Sequence, residues 1–484
     1  MLAVLTAGLV VGGLIDRAGA PHTPASVTAE AVQPVPVAAP ARAYSSSWFC
    51  AGATNAAPND AAGTVRLANA GERAVTGRVA VVTSSGGGRA VTVTVAPHAT
   101  VDVPETVKGG GPWAGAIVDV DGGSLAVSQI VDGPLGRATT PCATSGSQHW
   151  YLPGGQSRIN AAETILLLNP YPTHSIVDMA FTTDQGVENP QEFQGLDVPP
   201  GGLLAVPLGS HLRRRASIAT TVSARTGNVV AWETEVVTPP PAGAPLVGTP
   251  AANQPFADPA FPVPGVTLTL GAPSAGNTWV WPEGLAGGGI DEQYLIYNPG
   301  PQTAEVSLSV GLQHGTAEPF SLTVGPYQVV NLVSERQARI PAGLPHTATL
   351  VSVNGVPVVA ARSVSAAKAT VGPGATRNGL GLMLGERVTA PEWVVPATLV
   401  DSAHQADVVI LNPGTVPVQV REQDLATGGG SQATVPAGGR LAAPVPAGMN
   451  SVLVTATGPV YVESDVYGVG KAAGYSITSA VPLS

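Results

Sequence analysis

The chain has 484 residues, 11% of them charged, with 59 Gly, 46 Pro, two Cys and a net charge of −10. Gly and Pro are the weakest helix formers and there are few Glu/Lys pairs, so long helices are disfavoured and an all-β chain with many turns is expected. Only Lys108, Lys368 and Lys471 are lysine, and Arg213-Arg214-Arg215 is the one basic run. Nucleic-acid binding, which needs a basic stripe, is therefore not expected, and the triplet reads as a solvated loop.

Leu2 to Ile15 is almost wholly apolar and leads to Ala18-Gly19-Ala20. Fourteen residues are short for a spanning helix and match the apolar stretch and small-residue cleavage site of a signal peptide. Residues 1–20 are read as a signal peptide or, if uncleaved, a membrane anchor. Residues 21–44, rich in Pro, Ala and Val, form an extended linker.

Four tandem copies of one unit follow, expected at 45–146, 147–275, 276–390 and 391–484. Trp150, Trp279 and Trp393 each precede an Asn-Pro pair by nineteen residues, ending at Asn169, Asn298 and Asn412, while Trp48 reaches Asn69 after twenty-one. The tryptophans should pack at the start of a first strand. The asparagines should end a strand and bond backbone in the following turn. Later in each copy come a strand, a Pro/Gly turn and a strand, as in Val198-Pro199-Pro200-Gly201-Gly202, then an alternating strand that re-enters after a glycine turn, as in Val454 to Glu463. A final strand is clearest at Gly265 to Pro273, Gly379 to Leu384 and Gly474 to Pro482.

About seven strands per unit predicts four immunoglobulin-like β-sandwiches strung as beads. A four-bladed propeller ranks second, because its blades hold about four strands. The second unit carries a proline-rich insertion, 238–264, read as a spacer or a strap over the surface.

Trp279-Val280-Trp281-Pro282-Glu283-Gly284, followed by Tyr294-Leu295-Ile296-Tyr297-Asn298-Pro299-Gly300, resembles a repeat of exported bacterial surface proteins. Its closing strand is partly kept at Pro357 to Arg362 and Gly458 to Glu463. The chain as a whole resembles an actinobacterial exported family of unknown function, a resemblance that implies no catalytic residues.

No zinc-ligand spacing, nucleophile elbow or phosphate loop is present in the sequence, so neither catalytic nor cofactor nor metal residues are assigned. The glycine strings at 379–385 and 468–474 read as β-hairpin glycine. Asp119/Asp121, Glu233/Glu235 and Glu463/Asp465 are spaced to share a strand face, where a carboxylate pair could serve glycoside chemistry; solvent-facing acidic pairs are commoner. Trp113, Trp232 and Trp281 are the candidates for glycan contact, with Trp232 on the outward face of its strand, where cover by the 238–264 strap is the favoured reading over an exposed sugar-stacking ring. Cys50 and Cys142 should form a disulfide, tying the first and last strands of the first unit. The expectation is a non-catalytic exported envelope protein acting as scaffold or adhesion module, its partners envelope proteins or cell-wall polysaccharide. The alternative is a glycan-binding or glycan-acting protein.

Overall fold

Each Trp-to-Asn spacing becomes the first two strands of a two-sheet unit in a computed structural model, which describes residues 35–55, 61–240, 262–313, 315–370, 376–398, 400–469 and 472–484. The signal or anchor segment, most of the linker and most of the 238–264 insertion lie outside the described residues.

The first unit contains β1 (Ser45–Thr54), β2 (Ala62–Asn69), β3 (Val75–Thr83), β4 (Gly88–Val95), β5 (Ala99–Pro104), β6 (Trp113–Asp121), β7 (Leu125–Gly133) and β8 (Gly136–Pro141). In the second are β9 (His149–Leu152), β10 (Ala161–Leu168), β11 (Ser175–Thr183), β12 (Gly186–Glu188), β13 (Leu196–Val198), β14 (Leu203–Pro207), β15 (Ile218–Thr226), β16 (Val230–Val237) and β17 (Gly265–Leu270). The third holds β18 (Thr278–Gly284), β19 (Ile290–Asn298), β20 (Ala304–Leu312), β21 (Phe320–Val324), β22 (Gln328–Val333), β23 (His346–Ser352), β24 (Val359–Thr370) and β25 (Thr376–Leu384). The fourth holds β26 (Ala390–Val395), β27 (His404–Leu411), β28 (Val418–Asp424), β29 (Gly430–Val435), β30 (Arg440–Pro444), β31 (Val452–Gly468), β32 (Tyr475–Ser479) and β33 (Val481–Pro482).

One strand order recurs. The first sheets run β4-β3-β6-β1, β12-β11-β15-β9, β21-β20-β23-β18 and β29-β28-β31-β26, and the second sheets β5-β2-β7-β8, β14-β10-β16-β17, β22-β19-β24-β25 and β30-β27-β31-β32. The long β31 serves both sheets of its unit. Alternation along β3, β20 and β28 leaves one face of each first sheet towards solvent, whereas β10 and β16 are buried on both faces.

What covers the second sheets is the neighbouring unit. Their last strands abut in a closed ring, β8 against β17 and β32, and β25 against β17 and β32. The units are therefore not beads but a propeller-like ring. Counting strands per unit had ranked this arrangement second, because it did not allow each unit a second sheet outside the blade.

Four equivalent glycines, Gly136, Gly265, Gly379 and Gly474, lie at or near the starts of these axial strands. A Cβ on Gly136 would come 2.5 Å from Gly474 Cα, on Gly379 2.9 Å from Gly474 C, and on Gly265 2.8 Å from Leu380 N. Backbones meet where only glycine fits. Gly379 and Gly474 are thus axial glycines rather than hairpin ones. Ala38 pairs in parallel with Leu483, so the start of the described chain lies against its last residues and seals the first unit to the fourth.

Candidate functional site

The repeated residues build the frame. Asn69, Asn169, Asn298 and Asn412 are fully buried. Each amide donates to a carbonyl four residues on and to the end of the next hairpin strand, as Asn298 Nδ2 does to Gln302 O (2.6 Å) and Val324 O (3.0 Å). Each Oδ1 accepts the backbone N–H two residues on, Gly71, Tyr171, Gly300 and Gly414. The side chain thereby clamps the turn after the second strand to the opposite sheet.

Trp48, Trp150, Trp279 and Trp393 are buried. Trp150, Trp279 and Trp393 donate their indole N–H to Val229, Val358 and Val460 O, while the Trp48 indole has no partner. That first unit holds the Cys50–Cys142 disulfide, with Cα atoms 4.8 Å apart and a sequence separation of 92. Closing such a loop contributes about 4–5 kcal/mol in the chain-entropy account.

Two candidates for glycan contact are corrected by their burial. Trp232 and Trp281 have no exposed surface. Trp232 projects from β16 into the packing between the first and second units, since that face of a second sheet is covered by the previous unit and not by solvent. Trp281 packs edge-on to Tyr294. Trp113 is half-buried.

The acidic pairs divide similarly. Asp119 and Asp121 are exposed, but Glu233, Glu235, Glu463 and Asp465 are buried, contrary to the solvent-facing reading. Glu163, Glu233 and Glu235 share the interior face of the β10–β16 pair. Burial, then mutual repulsion, raises Glu163 and Glu233 well above the carboxylate range; burial lifts Glu235 to about 7. Burial thus biases all three carboxyls towards the protonated form.

Between the third and fourth units the charges are paired. Arg362 Nη2 donates to Glu463 Oε1, Arg440 pairs with Glu283, and the Glu283 backbone N–H donates to Glu463 Oε2 (3.2 Å). His346 Nε2 lies 2.9 Å from Glu292 Oε1. Burial opposes ionisation of Glu292, but His346, Arg362 and the Ser334 hydroxyl outweigh it and hold the group at about 2. Arg377 meets the Tyr475 hydroxyl (2.7 Å) and lies over the Tyr467 ring. Of the basic triplet, Arg213 and Arg214 are exposed, while Arg215 pairs with Glu188 (2.6 Å).

Two cavities stand apart from these networks. One lies on the axis, about 80 Å³, among the ends of all four axial strands, and takes in the carboxyl of Glu386. The other, about 580 Å³, is an open groove in the fourth unit between β28 and the 444–449 loop. Glu422 in that groove is raised by burial to about 7, and Asp424, two residues on, accepts from the Ala426 and Thr427 amides. Among the described residues no cluster of three or more His, Cys, Asp or Glu has the geometry to hold a metal. The sequence offered no direct signal for Glu386 or Glu422: Glu386 lies between Gly385 and Arg387 just past a strand and Glu422 between Arg421 and Gln423 within one, so each reads as an ordinary surface charge.

A family of unknown function (DUF5719) matches residues 121–434, more than half of the chain. The chain belongs to that family. The match runs from the end of β6 to the end of β29, so it takes in parts of all four units. No curated protein matches. Among solved structures the chain is similar to a protein described as Thermotoga maritima 1070, at 19% identity over 23% of this chain and 94% of that one, with a TM-score of 0.20. It is similar to a Streptomyces avermitilis alpha-L-rhamnosidase at 10% identity over 83% of this chain and 54% of that one, TM-score 0.13. A tetra-tandem repeat from the extending region of a large adhesion protein shares 13% identity over 85% of this chain and 92% of that one, TM-score 0.11. Likenesses this low carry no argument about fold or activity.

Proposed function

We propose that this is a non-catalytic, exported cell-envelope protein of the kind found on actinobacterial surfaces, a closed scaffold whose first sheets present interaction surface outward. Each unit is read as a variant of the immunoglobulin-like sandwich in which the penultimate strand lies beside the second. The observation that carries the proposal is where the large and charged side chains go. Trp232, Trp281, Glu463 and Arg362 are buried within and between units, which is how a rigid scaffold uses them. The disulfide supports an oxidising compartment. The partners are envelope proteins or cell-wall polysaccharide, with the membrane reached through the N-terminal segment if it is retained.

Cell fractionation with thiol alkylation tests the first half. The protein should appear outside the cytosol with no alkylatable thiol before reduction, and a cytosolic, reduced pool would overturn the proposal.

A second reading, a glycan-binding or glycan-acting protein, is favoured by the groove at Glu422. Its volume suits a sugar-sized ligand, and an acid near 7 suits proton donation. Titration with cell-wall polysaccharide separates the two readings. Binding that Glu422→Gln abolishes would support the groove, and no binding at millimolar glycan leaves the scaffold.

A further inference from the structure

The axis of the ring is formed by four equivalent strands, and three of the four chains leave it through a small or apolar residue. Ala143, Ala272, Glu386 and Val481 occupy matching positions, each pairing back to the first strand of its own unit through Phe49, Tyr151, Val280 and Val394. Only the third carries a charge-bearing group. It lines the axial cavity, is 1% exposed, and neither carboxyl oxygen makes a hydrogen bond of good geometry, the Ser479 hydroxyl favouring its charged form only weakly. The Ser479 hydroxyl beside it donates to Ala480 O (2.9 Å). Burying a lone carboxyl without a partner is costly, and nothing in the packing of the other three units requires one here.

The walls define what could answer it. Leu270, Leu382, Leu384 and Ile477 give the lining its apolar character, Thr144 and Ser479 add hydroxyls to it, and Ser479 stands beside the carboxyl. At about 80 Å³ the cavity has room for roughly five water-sized atoms, too few for a sugar ring. An apolar slot ending in one carboxyl matches a short alkyl stem ending in an ammonium group.

We propose that the axial cavity binds a primary alkylammonium group, its stem along the leucines and its nitrogen on Glu386. The titratable groups facing that carboxyl are Tyr461 and Glu463, both on β31, and Glu463 is already paired with Arg362. Burial, only partly offset by Ser479, raises Glu386 to about 8, so the carboxyl is mostly protonated at pH 7. Taking up the cation requires the carboxyl to ionise. One proton therefore leaves to buffer for each ammonium bound.

The experiment is calorimetric titration of the full chain with n-butylamine hydrochloride at pH 7, in two buffers of different ionisation enthalpy, with n-butanol as the uncharged control. The expected result is saturable butylammonium binding with close to one proton released, at least tenfold weaker binding of butanol, and at least a tenfold loss in Glu386→Gln. Butanol binding as tightly as butylammonium would overturn the proposal, as would release of no proton or absence of saturation at millimolar amine. The proton count and the butanol control use the wild-type protein, so they decide the matter even if Glu386→Gln fails to fold.

Discussion

The same position in the penultimate strand is occupied by Trp232 where the second unit meets the first and by Glu463 where the fourth meets the third. The first contact is largely apolar, with Leu270 opposite Trp232, Leu268 against Gly52, and the Thr234 hydroxyl donating to Gly52 O (2.8 Å). The other is ionic, Glu463 held by Arg362 and by the Glu283 amide. Each solution covers the same backbone geometry, so the ring's shape does not depend on interface chemistry. Neighbour choice does: a fourth unit set against the first in place of the second would bury Glu463 where no arginine waits, a cost of several kcal/mol. Unlike chemistry at like positions fixes the order of the units.

Arg362→Met should break the ionic interface most severely, by about 3–5 kcal/mol, because Glu463 is left buried without its cation. Adding Glu463→Leu should recover most of that loss. Urea unfolding of the single and double variants measures both, and equal losses would show that the pair contributes through packing alone.

Trp232→Ala should cost about 3–5 kcal/mol through the cavity it leaves, with no second-site rescue. If a change at Leu268 restores stability fully, the two interfaces are more alike than their residues imply.

Both interfaces rely on the shared axis. Gly474 has φ +120°, and a Cβ there would stand 2.8 Å from Arg137 N. Gly474→Ala should lower the unfolding free energy by about 2–3 kcal/mol, more than an alanine at the open, positive-φ turn glycine Gly438. Thermal melts of the two variants compare them.

The smallest effect is on pH dependence, and its sign differs between individual buried carboxyls. Glu105, raised by burial to about 8, and Glu235, at about 7, keep protons that the unfolded chain releases near 4.5. Stability in the first two units is therefore full below 4.5 and falls as pH rises through 7 to 8. Glu292, held at about 2, contributes stability that is present above 4.5 and lost as pH falls towards 2. Each group sets a slope of up to about 1.4 kcal/mol per pH unit inside its window. Urea midpoints at pH 3, 5 and 8 should be highest at pH 5, and Glu105→Gln should flatten the upper limb.

Trp and Asn-Pro spacing made the four units legible, because a local turn and a local strand start impose fixed distances along the chain. Ring closure was not, since it rests on contacts between residues as distant as Thr139 and Ser476. One signal pointed to it. Ile165 to Leu168 and Val408 to Leu411 are unbroken apolar runs, the pattern of strands buried on both faces, which isolated sandwiches do not need. Reading Glu233 and Glu463 as solvent-facing followed from assuming one wet face per sheet. Glu386 was illegible for a different reason: a carboxyl that faces its own unit's axis leaves no periodic trace.

Ala38 donates its amide to Pro482 O (3.0 Å) and accepts from the Ser484 hydroxyl (2.6 Å). A pull on the chain from the N-terminal side reaches this clasp before it reaches any sheet of the first unit. Two hydrogen bonds at the end of a strand open one after the other, like a zip, and at lower force than a sheet loaded in shear. Under traction this clasp is thus the first contact to be loaded, and in a force spectrum its release should precede the unfolding of the units.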